Sequence, residues 1–255
     1  MTAAASQSEL GVDRGLRAGI PARSLSVVVP AYQEEGRLSG TVEAIHEFLT
    51  ARGYDAELIV VDDGSRDRTS SLLAGLAHRF PLLRPIRFER NHGKGFAVRA
   101  GILAATREAV LFSDADLSTP MTDIDRLWKE YDRGCDVVIA SRRAPGARLP
   151  GRQPLHRRGM GRVFNVLVSL LGVRGFQDTQ CGFKLFRTVM ARQIFRRVIT
   201  QGFAFDVEVL LRARERGCRI AEVGVTWTDR PGSKVSALRD STRMVLEILR
   251  MRRLI

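Results

Sequence analysis

The sequence is poor in lysine and cysteine, and it has no long apolar run. Of its 41 basic residues only four are lysines, so guanidinium groups supply most of the net charge of +13. A charge of this size predicts an anionic partner such as nucleic acid, a phosphorylated substrate or an acidic membrane surface. The 44% hydrophobic and 27% charged residues among 255 are typical of a globular chain, and they exclude a mostly disordered protein.

The few cysteines and the lack of apolar runs bear on the compartment. Cys135, Cys181 and Cys218 are far apart and lack metal-site spacing, so we expect reduced thiols, as in cytoplasmic proteins. Residues 1–23 contain no apolar core of signal-peptide length, and we expect a disordered tail there. The longest nearly unbroken apolar run, 163–173, has about half the length that a bilayer span needs, so no membrane span is expected.

Several catalytic signatures are also absent. There is no Gly-x-x-x-x-Gly-Lys-Ser/Thr loop and no Gly-x-Gly-x-x-Gly fingerprint, which argues against kinases and dehydrogenases. A Gly-x-Ser-x-Gly nucleophile elbow is missing as well, so hydrolase chemistry has no support. The four histidines form no ligand cluster in the sequence.

Strand and helix patterns alternate along residues 24–140. Strands about 25–30 residues apart with helices between them predict right-handed crossovers. We therefore expect an α/β fold with an open, mainly parallel twisted sheet and helices on both faces. The expected strands are 25–29, 57–61, 86–88, 109–112 and 136–140, and the expected helices are 38–49, 67–77, 94–105, 124–131 and 157–173.

Polar motifs follow four of these strands, after Val29, Val61, Phe88 and Phe112. In open α/β sheets, ligands bind beyond the carboxyl ends of the strands. The four motifs are therefore expected to converge on one crevice.

Two of these motifs carry carboxylates. Asp114-Ala115-Asp116 has the spacing that lets two carboxylates hold one divalent cation beside substrate phosphates. Asp62 and Asp63 are adjacent and repel each other, so they need donors, a cation or water around them. A helix cap is the alternative there, and we expect function for Asp62 more than for Asp63.

The motif at 91–95 contains Gly93-Lys94-Gly95 and opens a helix, where backbone N–H groups are placed to meet an anion. Lys94, Lys184 and Lys234 all lie close to glycine, which suits phosphate contact. Surface turn lysines are the alternative interpretation for each of the three.

With these motifs in this order, the sequence resembles family 2 of the nucleotide-sugar glycosyltransferases, which have the GT-A, Rossmann-like fold. Residues 178–184, residues 203–208 and Trp227 with 231–234 look like the branch that transfers glucose to dolichyl phosphate. The resemblance covers roughly residues 25–250. It has two departures, because Gln33 stands where the family usually has Asn, and Ser118 where mannose-transferring relatives often have a metal-binding Gln.

The resemblance implies a role for each matching position. Nucleotide-sugar binding is implied for Pro30, Tyr32, Glu34, Val60, Asp62, Lys94, Asp114 and Ala115. Asp114 and Asp116 are implied to hold Mg²⁺ or Mn²⁺ on the diphosphate. Catalytic contact with the reacting phosphates is implied for Asp116, Arg142 and Lys234, and acceptor-phosphate contact for Arg157, Arg158 and Lys184.

The resemblance further implies inverting transfer of glucose from UDP-glucose to a polyprenyl phosphate of the dolichyl type. GDP-mannose as donor, or another lipid acceptor, is the alternative within the same class. A phosphate acceptor with a second pKa of about 6 needs no strong base, so we expect Asp206 and Glu208 to position rather than to abstract a proton. A nucleic-acid-binding protein is the different-class alternative, but no recognised module supports it and no specific nucleic acid is expected.

One domain, 24–255, is expected to carry all of this. Its nucleotide-sugar half is 24–140, its acceptor-side half 141–235, and its C-terminal amphipathic helix 236–255. Residues 163–173 and 238–255 combine apolar and basic side chains in the manner of helices that lie on anionic membranes. We therefore expect a peripheral protein on the inner face of the cytoplasmic membrane, although packing on the domain or on a second subunit is the alternative for both segments.

Overall fold

The computed structural model describes residues 22–150, residues 175–230 and Glu247. Within these residues, seven strands form one sheet of order β3-β2-β1-β4-β6-β5-β7. The strands are β1 (Ser24–Ala31), β2 (Asp55–Asp63), β3 (Leu83–Phe88), β4 (Ala109–Ser113), β5 (Val137–Ser141), β6 (Phe183–Arg187) and β7 (Ile220–Gly224). The helices are α1 (Leu38–Ala51), α2 (Thr69–Arg79), α3 (Lys94–Ala104), α4 (Ile124–Asp132), α5 (Thr188–Phe195) and α6 (Phe205–Glu215), and a short 3₁₀ turn (Met121–Asp123) precedes α4.

The sheet is mainly parallel, as the strand spacing predicts. Strand β1 runs parallel to both β2 and β4, and β5 runs parallel to β7. Strand β6 is antiparallel to β4 and β5 and lies between them. Strands β6 and β7 and helices α5 and α6 are not among the elements expected from the sequence. For β6, five residues with an internal lysine give only a weak strand pattern.

The core lies on both faces of the sheet. Buried residues of α3, α5 and α6 pack on one face, and those of α1, α2 and α4 pack on the other. Strand β2 is buried on both sides from Ala56 to Asp63, which explains its continuous apolar sequence. The expected α/β class with helices on both faces is confirmed.

The strands reach beyond their expected bounds by one to three residues at an end, and at β2 and β4 the extension concerns the carboxylate motifs. Strand β2 continues through Asp62 and Asp63, and β4 continues to Ser113, directly before Asp114. The carboxylates of both motifs therefore start at fixed positions on the sheet rather than within long loops.

No helix in the part of the chain that the structure describes is long and apolar enough to cross a membrane. The expected tail at 1–23 lies almost entirely outside the described residues. So do the expected helix 157–173 and, apart from Glu247, the expected helix 236–255.

Candidate active site

The carboxyl ends of β1, β2 and β4 lie side by side, since the three strands are parallel neighbours. Ala31 pairs with Asp62 across β1 and β2, and Val28 pairs with Phe112 across β1 and β4. The motifs that follow β1, β2 and β4 therefore meet at one edge of the sheet, as the sequence predicts.

A tight turn after β4 presents the Asp114–Asp116 motif. The Asp114 N–H donates to the Gly182 carbonyl at 2.9 Å, and the Ser118 N–H donates to the Asp116 carboxylate at 2.9 Å. Leu117 completes the turn with a φ of 48°, a conformation that non-glycine residues rarely adopt outside functional or strained sites. A side chain at Gly182 would overlap the Asp114 carboxylate, so a larger residue there would displace that carboxylate.

The turn lines a small polar cleft. Its walls are Ser113, Asp114, Asp116, Leu117, Ser118, Thr119, Gly182 and Trp227. The Ser118 hydroxyl is buried and has no hydrogen-bond partner among the described residues. An unpaired buried hydroxyl is unfavourable unless a ligand or water reaches it, so this side of the cleft is suited to a polar ligand.

The donor set of the cleft fits a hard divalent cation that is shared with phosphates. The described residues contain no group of three or more His, Cys, Asp or Glu side chains placed to hold a metal by themselves. Two carboxylates, Asp114 and Asp116, face the cleft instead. Mg²⁺ commonly takes one or two carboxylates and completes its shell with substrate phosphates and water, so these residues fit the metal that the resemblance implies.

Lys94, the first residue of α3, reaches this site. Its ammonium lies 2.7 Å from a carboxylate oxygen of Asp114, and both side chains are partly exposed. Burial alone would lower the pKa of Lys94, but the carboxylates of Asp114 and Asp206 outweigh it and raise the pKa above its ordinary value. The ammonium therefore stays protonated beside the predicted metal ligand.

Arg142 stands at the end of β5 and is held in place by Asp178. Two guanidinium nitrogens donate to the Asp178 carboxylate at 2.6 and 2.8 Å, and the Arg142 N–H donates to it as well. Burial would raise the pKa of Asp178, but the Arg142 guanidinium outweighs it and lowers that pKa. The guanidinium also lies 5.5 Å from the ring centroid of Trp227, so Arg142 stands next to the wall of the cleft.

Asp178 is oriented in turn by Glu222 of β7, whose carboxylate accepts the N–H groups of Gln177 and Asp178. Asp178, Gly182 and Trp227 belong to the family-like motifs of the sequence, but no role was expected for them. Their positions in these family-like motifs were the available signal for their importance. Their contacts with residues 36 to 85 positions away could not be read from one sequence.

The Asp62 and Asp63 carboxylates point into the protein. Asp62 is fully buried and accepts hydrogen bonds from the Ser65 N–H and the Ser70 hydroxyl. Asp63 accepts hydrogen bonds from the side-chain amide of Asn91 and from the backbone N–H groups of His92 and Gly93. Both carboxylates thus shape the loops at the edge of the sheet, and nucleoside contact by Asp62 stays a prediction.

The loop after β1 forms another wall of this edge. Tyr32 and Glu34 of this loop are partly exposed, as is Pro30 near the end of β1. Val60, by contrast, has no exposed surface and packs in the core, so its side chain offers nothing to a nucleoside in this structure.

Ala115 is nearly buried, and its carbonyl accepts a hydrogen bond from the Thr41 hydroxyl at 2.6 Å. This bond ties the turn after β4 to helix α1. Because Ala115 is only 7% exposed, little of its surface is available for contact with a nucleotide sugar.

The N-terminus of α3 does not offer the anion site that the motif at 91–95 predicts. The Gly95 and Phe96 N–H groups donate to the Gln201 carbonyl at 2.7 and 3.3 Å. A side chain at Gly95 would meet the Thr200 carbonyl and Phe205. The glycines of this motif are therefore needed for close packing against residues 200–205, and the expectation of an anion at these N–H groups is wrong.

Lys184 lies inside the protein rather than in the cleft. It is 1% exposed and forms a buried ion pair with Asp206 at the start of α6. Burial raises the pKa of Asp206, against the opposing effect of the Lys184 ammonium. This geometry favours a structural role for Lys184 over the acceptor-phosphate contact that the sequence predicts, because no charged surface of Lys184 is left for a ligand.

Three other predicted site residues, Arg157, Arg158 and Lys234, lie outside the described residues. Their roles stay predictions.

Comparison with known proteins agrees with the fold. The profile described as Glycosyl transferase family 2 matches residues 26–195. A dolichyl-phosphate beta-glucosyltransferase of Dictyostelium discoideum is 35% identical over 240 residues, which cover 89% of this chain and 73% of that protein. The human protein of the same name is 35% identical over 228 residues, which cover 84% of this chain and 70% of that protein.

Solved structures show the same architecture at lower identity. Glucosyl-3-phosphoglycerate synthase from Mycobacterium tuberculosis, in complex with UDP, has a TM-score of 0.65 at 22% identity and covers 91% of this chain and 81% of its own. Mannosyl-3-phosphoglycerate synthase from Rubrobacter xylanophilus has a TM-score of 0.65 at 21% identity and covers 90% and 73%. At such identities the likeness establishes the fold, which is GT-A. The fold, the strand-end motifs and the matched profile together place the chain in glycosyl transferase family 2.

Proposed function

We propose that this glycosyltransferase moves glucose from UDP-glucose to a polyprenyl phosphate of the dolichyl type. The observation that carries the proposal is the set of curated relatives at about 35% identity, which are named for glucosyl transfer to dolichyl phosphate and match most of the chain. The cleft with Asp114 and Asp116 at the carboxyl edge of the sheet supports a diphosphate donor.

In the proposed reaction, an oxygen of the acceptor phosphate forms a bond to C1 of glucose. The bond between C1 and the β-phosphate oxygen breaks, and UDP leaves with the electron pair. Attack opposite to the leaving group inverts the anomeric centre. Negative charge grows on the β-phosphate, and its stabilisation is expected to be the largest catalytic effect.

The residues of the cleft suit that requirement. Asp114 and Asp116 would hold Mg²⁺ or Mn²⁺, and such an ion supplies positive charge to a leaving diphosphate. Lys94 beside Asp114 and Arg142 beside Trp227 add positive charge at the same edge. Arg142 is pre-oriented by Asp178, so little reorganisation is needed when charge develops.

The acceptor side needs no general base in this proposal. A phosphate monoester with a second pKa of about 6 is largely a dianion at neutral pH and is itself the nucleophile. Asp206 is bound to Lys184, and Glu208 accepts the N–H groups of Ile199 and Thr200. Both carboxylates are buried, which supports positioning roles.

The lipid acceptor also implies a membrane surface as the place of work. We propose peripheral attachment to the anionic inner face of the cytoplasmic membrane. The net charge of +13 supports the proposal, because basic surfaces are attracted to anionic lipid.

Radiolabelled transfer tests the donor and the acceptor together. Purified protein receives UDP-glucose or GDP-mannose separately, each with polyprenyl phosphate and Mg²⁺ or Mn²⁺. We expect a lipid-linked product from UDP-glucose. A product from GDP-mannose alone would replace the donor assignment, and no lipid-linked product from either donor would contradict the proposal.

Asp116→Asn is the matched variant for this assay. We expect transfer to be abolished while the circular dichroism spectrum and Tm stay unchanged, because the Asp116 side chain is partly exposed at the cleft. Asp125→Asn, on the exposed face of α4, serves as the control and should transfer glucose at the wild-type rate. Full activity of Asp116→Asn would remove this carboxylate from the mechanism.

A further inference from the structure

Lys94 forms an ion pair with Asp114, one of the two carboxylates that are expected to hold the metal. Its ammonium lies 2.7 Å from Asp114 Oδ1, at the distance of a strong charge-assisted hydrogen bond. The proposed metal needs an oxygen of the same carboxylate. The ammonium and a divalent cation therefore compete for Asp114, because two like charges on one carboxylate repel each other.

The surroundings allow the ammonium to leave Asp114 without leaving the site. It is flanked by the rings of Phe112 and Phe203, whose centroids lie 5.4 and 5.8 Å away, and such ring faces attract a cation. The Lys94 side chain is 21% exposed, and it starts at the first residue of α3, at the same edge of the sheet as the cleft. A lysine side chain has a flexible stem, so its ammonium can swing from Asp114 toward a diphosphate bound in the cleft.

We propose that Lys94 is an exchangeable counter-ion, which neutralises Asp114 in the nucleotide-free enzyme and moves to the donor's diphosphate when nucleotide and metal bind. The proposal rests on the proposed function, since it assumes a metal at Asp114 and Asp116. Its consequence is coupling between ligands: metal alone binds weakly, and nucleotide strengthens metal binding by drawing the ammonium away. The coupling is reciprocal, as it must be for two ligands of one protein.

Mn²⁺ binding, followed by the electron paramagnetic resonance signal of free Mn²⁺, tests this without measuring transfer. We expect Lys94→Met to bind Mn²⁺ in the absence of UDP at least tenfold more tightly than wild type. We also expect UDP to improve Mn²⁺ binding at least fivefold less in Lys94→Met than in wild type. Lys94→Arg keeps a cation and should resemble wild type.

Lys129→Met is the matched control, because Lys129 is exposed on α4, and it should bind Mn²⁺ as wild type does. Lys94→Gln repeats the test with a polar side chain if Lys94→Met fails to fold. If Lys94 merely held Asp114 in position, its loss would leave Mn²⁺ binding unchanged or weaken it, and either result overturns the proposal.

Mn²⁺ binding by Asp116→Asn separates a wrong metal site from a wrong role for Lys94. If Asp116→Asn binds Mn²⁺ as wild type does, with and without UDP, the metal is not in this cleft, and the counter-ion proposal falls with it. If Asp116→Asn loses Mn²⁺ while Lys94→Met equals wild type, the metal site stands and the counter-ion proposal alone is wrong.

Discussion

Gln33 has a φ of 54°, in the left-handed region, where its N–H donates to the Ser65 hydroxyl at 2.9 Å. Asn is enriched several-fold among non-glycine residues in this conformation, which gives a physical reason for the Asn usual at this position in family 2. The departure noted in the sequence is therefore one of backbone preference as well as side-chain chemistry.

We expect Gln33→Asn to increase the free energy of unfolding by about 0.5 kcal/mol, since a left-handed residue costs roughly 1–2 kcal/mol and Asn relieves part of that. Urea denaturation measures the change. Gln33→Ala is the control, because alanine gains no such relief and should not stabilise the protein. Equal stability of the Asn and Ala variants would contradict the explanation.

Asp178 links stability to pH. Its pKa is lowered in the folded protein, so its contribution is present above its unfolded pKa of about 3.9 and is lost as pH falls through the lower folded value. We expect Asp178→Asn to lower the free energy of unfolding by about 1.5–3 kcal/mol at pH 7, because the partly exposed Arg142 loses two charge-assisted hydrogen bonds to a buried carboxylate. The loss should shrink as pH falls below about 4.

Urea denaturation at pH 7 and pH 3 checks this prediction. Asp125→Asn breaks the exposed pair with Arg52, in which both side chains are more than a third exposed, and it should cost about 0–1 kcal/mol at pH 7. A loss for Asp178→Asn that is no larger than this control would show that the Arg142 pair is not structural.

Single residues can be assigned from the sequence where a residue type in its pattern has one main use. Asp114 and Asp116 follow a strand at a spacing that favours cation binding, and the structure puts both carboxylates in the cleft. The expected role of Lys184 is less well predicted. A nearby glycine suggests a phosphate-binding loop, but glycine also occurs where a chain packs closely, and Lys184 is buried. Nothing local to Lys184 shows that Asp206, 22 residues later, lies beside it.

At the scale of strands and helices, the buried Lys184–Asp206 ion pair connects strand β6 to helix α6. We expect Lys184→Met to lower the free energy of unfolding by about 3–5 kcal/mol, since it leaves Asp206 buried and unpaired. The double variant Lys184→Met/Asp206→Leu should recover much of that loss, because two apolar side chains can replace a buried pair.

Urea denaturation and glucosyl transfer are measured together for these variants. Recovery of both stability and transfer in the double variant supports the structural role. A stable Lys184→Met protein that fails to transfer glucose would return Lys184 to the acceptor-phosphate role that the sequence predicts.

The expected strands and helices inside 24–141 match the structure within a few residues, because each has a clear period of apolar residues. Strand β6 cannot be predicted from a period of apolar residues. Its place between β4 and β5 depends on long-range antiparallel pairing, and no local pattern encodes which neighbours a strand takes.

At the scale of the whole molecule, the net charge of +13 is expected to govern membrane binding. We predict that the protein co-sediments with vesicles containing anionic lipid and that binding falls as salt rises, because surface charges are screened. Neutral vesicles are the control. Equal recovery in the supernatant with both kinds of vesicle at low salt would contradict peripheral attachment through charge.

The position of β6 has a consequence for how the chain is made. Strands β4 and β5 do not pair with each other, because each pairs with β6, which is formed by residues 183–187 later in the chain. During synthesis, the first 141 residues leave the ribosome with two strands that have open edges, which are prone to wrong pairing. A fragment that ends at 141 is therefore expected to aggregate rather than fold, because β4 and β5 gain their common neighbour only when residues 183–187 are present.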